Sequence, residues 1–273
     1  MNKYCCIKSV LFALVAVALL ASCSQSYNIQ GTSNVAMLDG HRLYLKVIKD
    51  EKLANLDSCE VVHGQFMLAG NIDSTCMANL YMDEESLLPL VLERGDISIR
   101  IDNTQRTLGG TPLNDKLYDF LKKLDQLQSE QIDLIHKHDQ AIMNGDDMDA
   151  VTRQLIAQDE VINGKMDKLV TSFVTENFDN VLGPGAFMMV TSGYEMPVLT
   201  PWIEDVLSKA SDKFKNDPYV KEYVEAANRN QDIMNGMAEV GPATPAPAPG
   251  TVLGAPIAPP TPAEMAGDTI AKK

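Results

Sequence analysis

Over residues 27–109 apolar and polar side chains alternate with a period of two. That spacing puts one set on each face of an extended strand. Candidate strands fall at 42–49, 58–62, 65–69, 76–82, 87–92 and 96–102. His63-Gly64 stands between two of them, where a two-residue hairpin turn needs positive φ, and Glu93-Arg94-Gly95-Asp96 supplies another glycine turn. Short strands at this spacing, with no helix between them, predict an antiparallel β-sandwich or a partly closed barrel.

The period changes at Gly109-Gly110-Thr111-Pro112. Thr111 can cap a helix, Pro112 suits its first turn, and Asp115 favours its positive end. Leu113, Leu117, Phe120, Leu124 and Leu127 recur every three or four residues, and the stripe runs on through Leu134 or Ile135 until Asn144-Gly145 breaks it. From Asp147 a second stripe returns through Met148, Val151, Leu155, Ile162, Met166, Leu169 and Phe173, so the pair predicts an antiparallel helical hairpin. Its near-heptad spacing also fits an intermolecular coiled coil, which would make a homodimer. A short helix over 186–190 after Gly183-Pro184-Gly185, a segment over 201–207, and a last helix over about 217–236 complete an α+β chain.

The ends read differently. Lys3 and Lys8 precede an apolar run over 10–20, the length of a signal-peptide core and short of a ~20-residue membrane span. Leu20-Ala21-Ser22 before Cys23 resembles the lipobox of bacterial lipoproteins, with Cys23 as the acylated mature N-terminus. The organisation expected is a signal peptide over 1–22, a β-domain over 23–110, a helical region over 111–240, and a disordered tail over 241–273, where eight prolines and eight alanines leave little apolar surface to bury. With no charged cluster to recruit a partner, the tail reads as a spacer or relic before a docking peptide.

Twenty-three basic against thirty-seven acidic residues give a formal charge of −14. Loss of residues 1–22 takes it to −16. That excludes nucleic acid as a partner and requires lipid, rather than a basic patch, for membrane attachment. Ser24 is not the aspartate that retains enterobacterial lipoproteins in the inner membrane, and no acidic export tag follows Cys23, so an outer-membrane, periplasm-facing site is expected.

Candidate chemistry is thin. Beyond the leader and Cys23 only Cys59 and Cys76 remain; each lies in a strand-like run and either packs as a small apolar residue or pairs with the other as a disulfide. No Cys-x-x-Cys remains, so thiol–disulfide chemistry has no motif to run on. His136 and His138 point about 200° apart on a helix and read as helix surface, and Asp133 with His136 is a weak pair. His41 and His63 read as turn residues, and Asp83-Glu84-Glu85 as a solvated loop without a calcium-loop pattern. Glu93 and Asp96 could form an acid–base pair, but a turn explains them and the aromatics a glycosidase cleft needs are sparse. The methionines read as packing residues. No metal, cofactor or enzymatic activity is expected.

The ordered set Tyr27-Asn-Ile-Gln-Gly31, Leu43-Tyr-Leu45, Leu56-Asp-Ser-Cys-Glu-Val61, Gly64-Gln-Phe66 with Gly70, Leu92-Glu-Arg-Gly95 and Gly110-Thr-Pro-Leu-Asn-Asp115 resembles a domain of unknown function, family 4369, of Bacteroidetes-type lipoproteins. In that family the module usually precedes a thioredoxin-like domain of the alkyl-hydroperoxide-reductase kind, joined by a helical segment to which Phe173-Val-Thr-Glu-Asn-Phe-Asp-Asn180 is similar. The resemblance spans about 27–200. It implies a β-rich exported module with a helical arm, and no activity, because the redox domain is replaced here by the Pro/Ala tail. The leading expectation is therefore a non-catalytic envelope lipoprotein that binds or positions an unknown envelope protein. Its rivals are an accessory acting in trans on a thioredoxin-like oxidoreductase, and small-ligand or glycan binding by the sandwich, which the sparse aromatics do little to encourage.

Overall fold

The computed structural model describes residues 25–49 and 52–237. Eight strands come first: β1 (Gln25–Ser33), β2 (Arg42–Lys49), β3 (Lys52–Glu60), β4 (Gln65–Ile72), β5 (Cys76–Met82), β6 (Glu85–Leu92), β7 (Gly95–Ile101) and β8 (Arg106–Gly109). Six α-helices follow: α1 (Pro112–Asn144), α2 (Met148–Glu176), α3 (Leu182–Thr191), α4 (Pro201–Lys209), α5 (Asp212–Lys215) and α6 (Pro218–Met234).

The strands form two open four-stranded sheets, in the orders β4-β1-β7-β8 and β3-β2-β5-β6, so the β-domain is a sandwich and the barrel alternative falls away. Pairing is antiparallel except between β1 and β7, which run parallel in the centre of the first sheet. That pair is the one parallel pairing in an otherwise antiparallel sandwich among the described residues, and β1 and β8 add to the candidate strands. The two-residue turn at His63-Gly64 is as the sequence predicts, with φ of 51° and 71°.

Side-chain alternation divides the second sheet. Leu43, Leu45, Leu80, Leu90 and Leu92 face Ile29, Leu68, Ile97 and Ile99 of the first sheet and are fully buried or nearly so. Met77, Asn79 and Tyr81 point the other way; a Cβ on Gly185 of α3 would come within about 3 Å of the Met77 side chain, so the helices cover that end, while the Lys46 ammonium lies 4.5 Å from the centre of the Tyr81 ring. The order is thus sheet, sheet, helices, and one apolar core runs through all three layers. Strands give way to helices between Gly109 and Pro112, and the two parts share this core.

α1 and α2 match their predicted limits because the signals are local. Pro112 opens α1, Gly145 closes it in the left-handed region at φ 73°, and Asp147 caps α2 by accepting from the N–H groups of Asp149 and Ala150. Two details differ. The Thr111 hydroxyl makes no helix-capping bond; the Glu93 carboxylate takes that place, accepting from the N–H groups of Leu113 at 2.8 Å and Asn114 at 3.3 Å. α3 begins at Leu182, so Gly183-Pro184-Gly185 lies inside its first turn, where a proline lacks only an N–H that would be orphaned anyway. The four-residue α5 was not foreseen.

Candidate functional site

The residues singled out from sequence do not gather at one place. Cys23 and its preceding Leu20, Ala21 and Ser22 lie outside the described residues, as does the tail beyond residue 237. Cys59 and Cys76 are both free thiols. Cys59 pairs across β2 with Leu43 and so with Met82, six residues along β5 from Cys76, a separation of about 20 Å that a disulfide cannot bridge. Burial raises the pKa of each thiol, which keeps it protonated and unreactive.

Glu93 and Asp96 have separate structural tasks. Glu93 caps α1, and Asp96 accepts from the Asn28 amide at 2.9 Å. Asp83 and Glu84 make the tight β5–β6 turn, with Asp83 at φ 52°. His136 and Asp133 stand exposed on α1. His138 departs from the surface reading: its side chain is only 15% exposed, its Nδ1 is buried without a hydrogen bond, and Asp139 Oδ1 lies 3.6 Å away. Among the described residues no cluster of histidine, cysteine and carboxylate side chains is arranged to hold a metal.

What the fold does assemble is a joint. The Asn114 side chain, wholly buried, donates to the Val91 carbonyl and accepts from the Val91 N–H, both at 2.8 Å. An amide carries the same donor and acceptor as a peptide group, so Asn114 occupies the place of the next strand against β6. At the other end of the joint Asn177, also wholly buried, donates to the Phe173 carbonyl and accepts from Lys116 Nζ at 2.9 Å and from Asn180. Phe173 itself stacks on Phe120, with centroids 4.0 Å apart. The Phe-x-x-Glu-Asn stretch is therefore the rivet between α1 and α2 where they meet the sheets.

Beside this joint a cavity of about 360 Å³ opens between β6, β8, α1, α2, α3 and α4. Leu87, Leu88, Leu121, Leu124, Val170 and Met189 give it an apolar wall, and Tyr118, Phe120, Tyr194 and Trp202 bring four aromatic rings to it. The Trp202 indole N–H donates to Thr171 Oγ1 at 2.7 Å, which fixes the ring. Arg106, Lys122, Asp125, Gln128 and Asp167 stand among the lining residues, two cations against two anions. Burial raises the Asp125 carboxyl pKa, with Arg106 pulling against it. Sequence reading missed this cavity because its lining comes from six elements. Only the lone tryptophan was a signal.

Beyond the joint α1 and α2 continue as a two-helix arm with its own small core of Leu134, Leu155 and Ile162, flanked by Leu127, Val151 and Met166. Gln131 donates to Asp159 at 3.0 Å and to Asn163 at 2.9 Å, and Asn163 donates to Asp159 at 2.9 Å, a polar clasp that fixes the register of the pair. Apolar side chains remain on its surface: Val161 is 60% and Met143 80% exposed, with Ile132 and Ile142 also outside.

Comparison with known families places the first part of the chain. Residues 27–117 match the model of a family described as a domain of unknown function, DUF4369. The β-sandwich is a DUF4369 domain. The match passes the last strand and ends at Leu117, so the DUF4369 unit takes in Asn114 and the first turn of α1, and the capped helix start belongs to it. It is shorter than the 27–200 span of the resemblance, and most of the helical region lies beyond it. No curated protein matches the chain. Among the described residues no helix is long and apolar enough to cross a membrane.

Proposed function

We propose that the protein is a non-catalytic envelope lipoprotein, held by acylation of Cys23 at the periplasmic face of the outer membrane, whose DUF4369 sandwich carries the helical arm to a protein partner. The observation that supports this most is the arm itself. A helix pair that leaves the shared core, keeps only a thin seam and exposes Ile132, Ile142, Met143 and Val161 has apolar surface in excess of what its own fold uses. Residues 128–165 carry eight acidic and three basic side chains, so the complementary surface is apolar at its centre and basic at its rim. The structural employment of Glu93, Asp96 and both thiols supports the non-catalytic part.

The test is a crosslinking pull-down from native envelopes with wild type, Cys23→Ala, and an arm variant carrying Val161→Asp and Ile132→Asp. The reading expects one protein captured by wild type and lost from both variants, while circular dichroism of the arm variant stays that of wild type. Capture that survives both substitutions counts against the arm. If the captured protein is a thioredoxin-like oxidoreductase, the module acts in trans on an enzyme that related chains carry in cis.

A further inference from the structure

The cavity at the joint has no role in the partner reading. Its walls combine three features. Four rings, Tyr118, Phe120, Tyr194 and Trp202, line an apolar hollow. The Gln128 amide and the hydroxyls of Tyr118 and Tyr194 stand among the lining residues, so groups able to donate a hydrogen bond lie in its wall. Its charged residues cancel, two of each sign, which favours an uncharged occupant over an ion. Aromatic walls with donors for free carbonyls are what a polyproline II segment requires, because its prolines pack on rings and its carbonyls have no partners within their own helix.

The tail of the chain has the composition of such a segment. Residues 241–263 hold all eight prolines of the tail and no charged residue. The last helix is tied to the stretch that follows the rim residue Tyr194: Asn230 Nδ2 donates to the Pro197 carbonyl at 2.8 Å, and the Tyr223 hydroxyl bonds both backbone groups of Val198. From Asn230 to the end of the described chain is seven residues, and the whole path from there to Tyr194 is on the order of 25 Å, which about eight residues of polyproline II cover at 3.1 Å each. We propose that this cavity is the docking site of the chain's own Pro/Ala-rich segment, residues 241–263, which seals the joint between the DUF4369 sandwich and the helices. The tail is then an internal ligand, in contrast to the spacer that its composition suggests. Tethering makes even weak intrinsic affinity sufficient: at an effective concentration of ~1 mM, a segment with a Kd of ~0.1 mM is docked about nine-tenths of the time.

Trp202 is the single tryptophan of the chain and lines the cavity, so its fluorescence reports occupancy directly. Acrylamide quenching is measured on the full chain, on a chain ending at residue 240, and on a full-length chain with every proline of 241–263 changed to serine, with circular dichroism to verify that all three are equally helical. The full chain is expected to be shielded, and both variants to quench about twice as steeply or more, as expected if a nine-tenths occupied site is emptied. A synthetic peptide of residues 241–263 should restore shielding to the truncated chain saturably, with half-effect near ~0.1 mM, and Tyr118→Ala should abolish that rescue. Equal quenching in all three chains overturns the proposal, as does a peptide without effect. Shielding that rises with protein concentration assigns the occupant to another copy's tail. Shielding that truncation leaves intact and solvent extraction removes assigns it to a bound envelope amphiphile. Either result overturns docking in cis.

Discussion

The same two helices live in two environments. Near the sheets, α1 and α2 are part of a three-layered core: Phe120 stacks on Phe173, Asn114 closes the edge of β6, and Phe187 of α3 meets the rings of Trp202, Phe214, Tyr219 and Tyr223 at centroid distances of 5.4–6.4 Å. In the arm, Leu134, Leu155 and Ile162 are all that is buried of a leucine and isoleucine stripe that reads the same along the sequence. Helical spacing sets which side chains share a face; what that face meets is decided elsewhere in the chain. Stability should therefore be graded, high at the joint and low toward Gly145, with the arm opening without the body.

The sharpest way to break this contrast is to remove a side chain from each region. Phe187→Ala empties the centre of the aromatic cluster and should lower the unfolding free energy by about 3–5 kcal/mol, seen as a large fall in the urea midpoint of the whole protein. Asn114→Ala leaves both Val91 backbone groups buried without partners and should cost about 2–3 kcal/mol in the same measurement. An Asn114→Ala protein with wild-type stability would mean that the joint is not held by the closed strand edge.

Alkali offers a titration of the body alone. The buried Tyr27 phenol is pushed up to about 12, first by desolvation and then by the Asp57 carboxylate to which it donates. Between pH 10 and 12 the unfolded phenol ionises while the folded one keeps its proton, so stability falls as pH rises, by up to ~1.4 kcal/mol per pH unit from this group. Tyr27→Phe should show a shallower decline over that window, although Tyr81, Tyr219 and Tyr223, also raised by burial, keep part of it. Residues 128–165 contain no tyrosine, so hydrogen exchange within the arm should lack this dependence beyond the ordinary base catalysis of exchange.

The smallest global effect is expected in the arm. Leu155→Ala removes a third of its buried seam and should destabilise the arm locally by about 2 kcal/mol, raising amide exchange over 128–165 roughly thirtyfold while the urea midpoint of the body stays within error. If exchange rises equally in α1 near Phe120, the arm and body form one cooperative unit and the contrast fails.

What sequence could and could not disclose follows the reach of each signal. Pro112, Gly145, Asp147 and the turn at His63-Gly64 act on their own neighbours, and there the predicted elements agree with the structure. The parallel pairing of β1 with β7 joins segments about seventy residues apart. The cap on α1 comes from Glu93, twenty residues before it, so a turn carboxylate was weighed as a catalytic pair when its partner was a helix end. The His138 ring is covered because it stands one turn after Leu134 and one before Ala141, on the buried face of α1, a spacing that its polar side chain disguised. The cavity drew on all these non-local placements at once.

One continuous helix runs from the Glu93 cap to Gly145, thirty-three residues and about 50 Å long. It is a lever whose fixed end is the joint, from Asn114 plugged into β6 to Phe120 stacked on Phe173. A turn of only 5° about Phe120 carries the tip, about 36 Å further along a rigid helix, through about 3 Å. Tension at the tip is thus delivered to the joint as a whole, and motion at the joint is magnified at the tip.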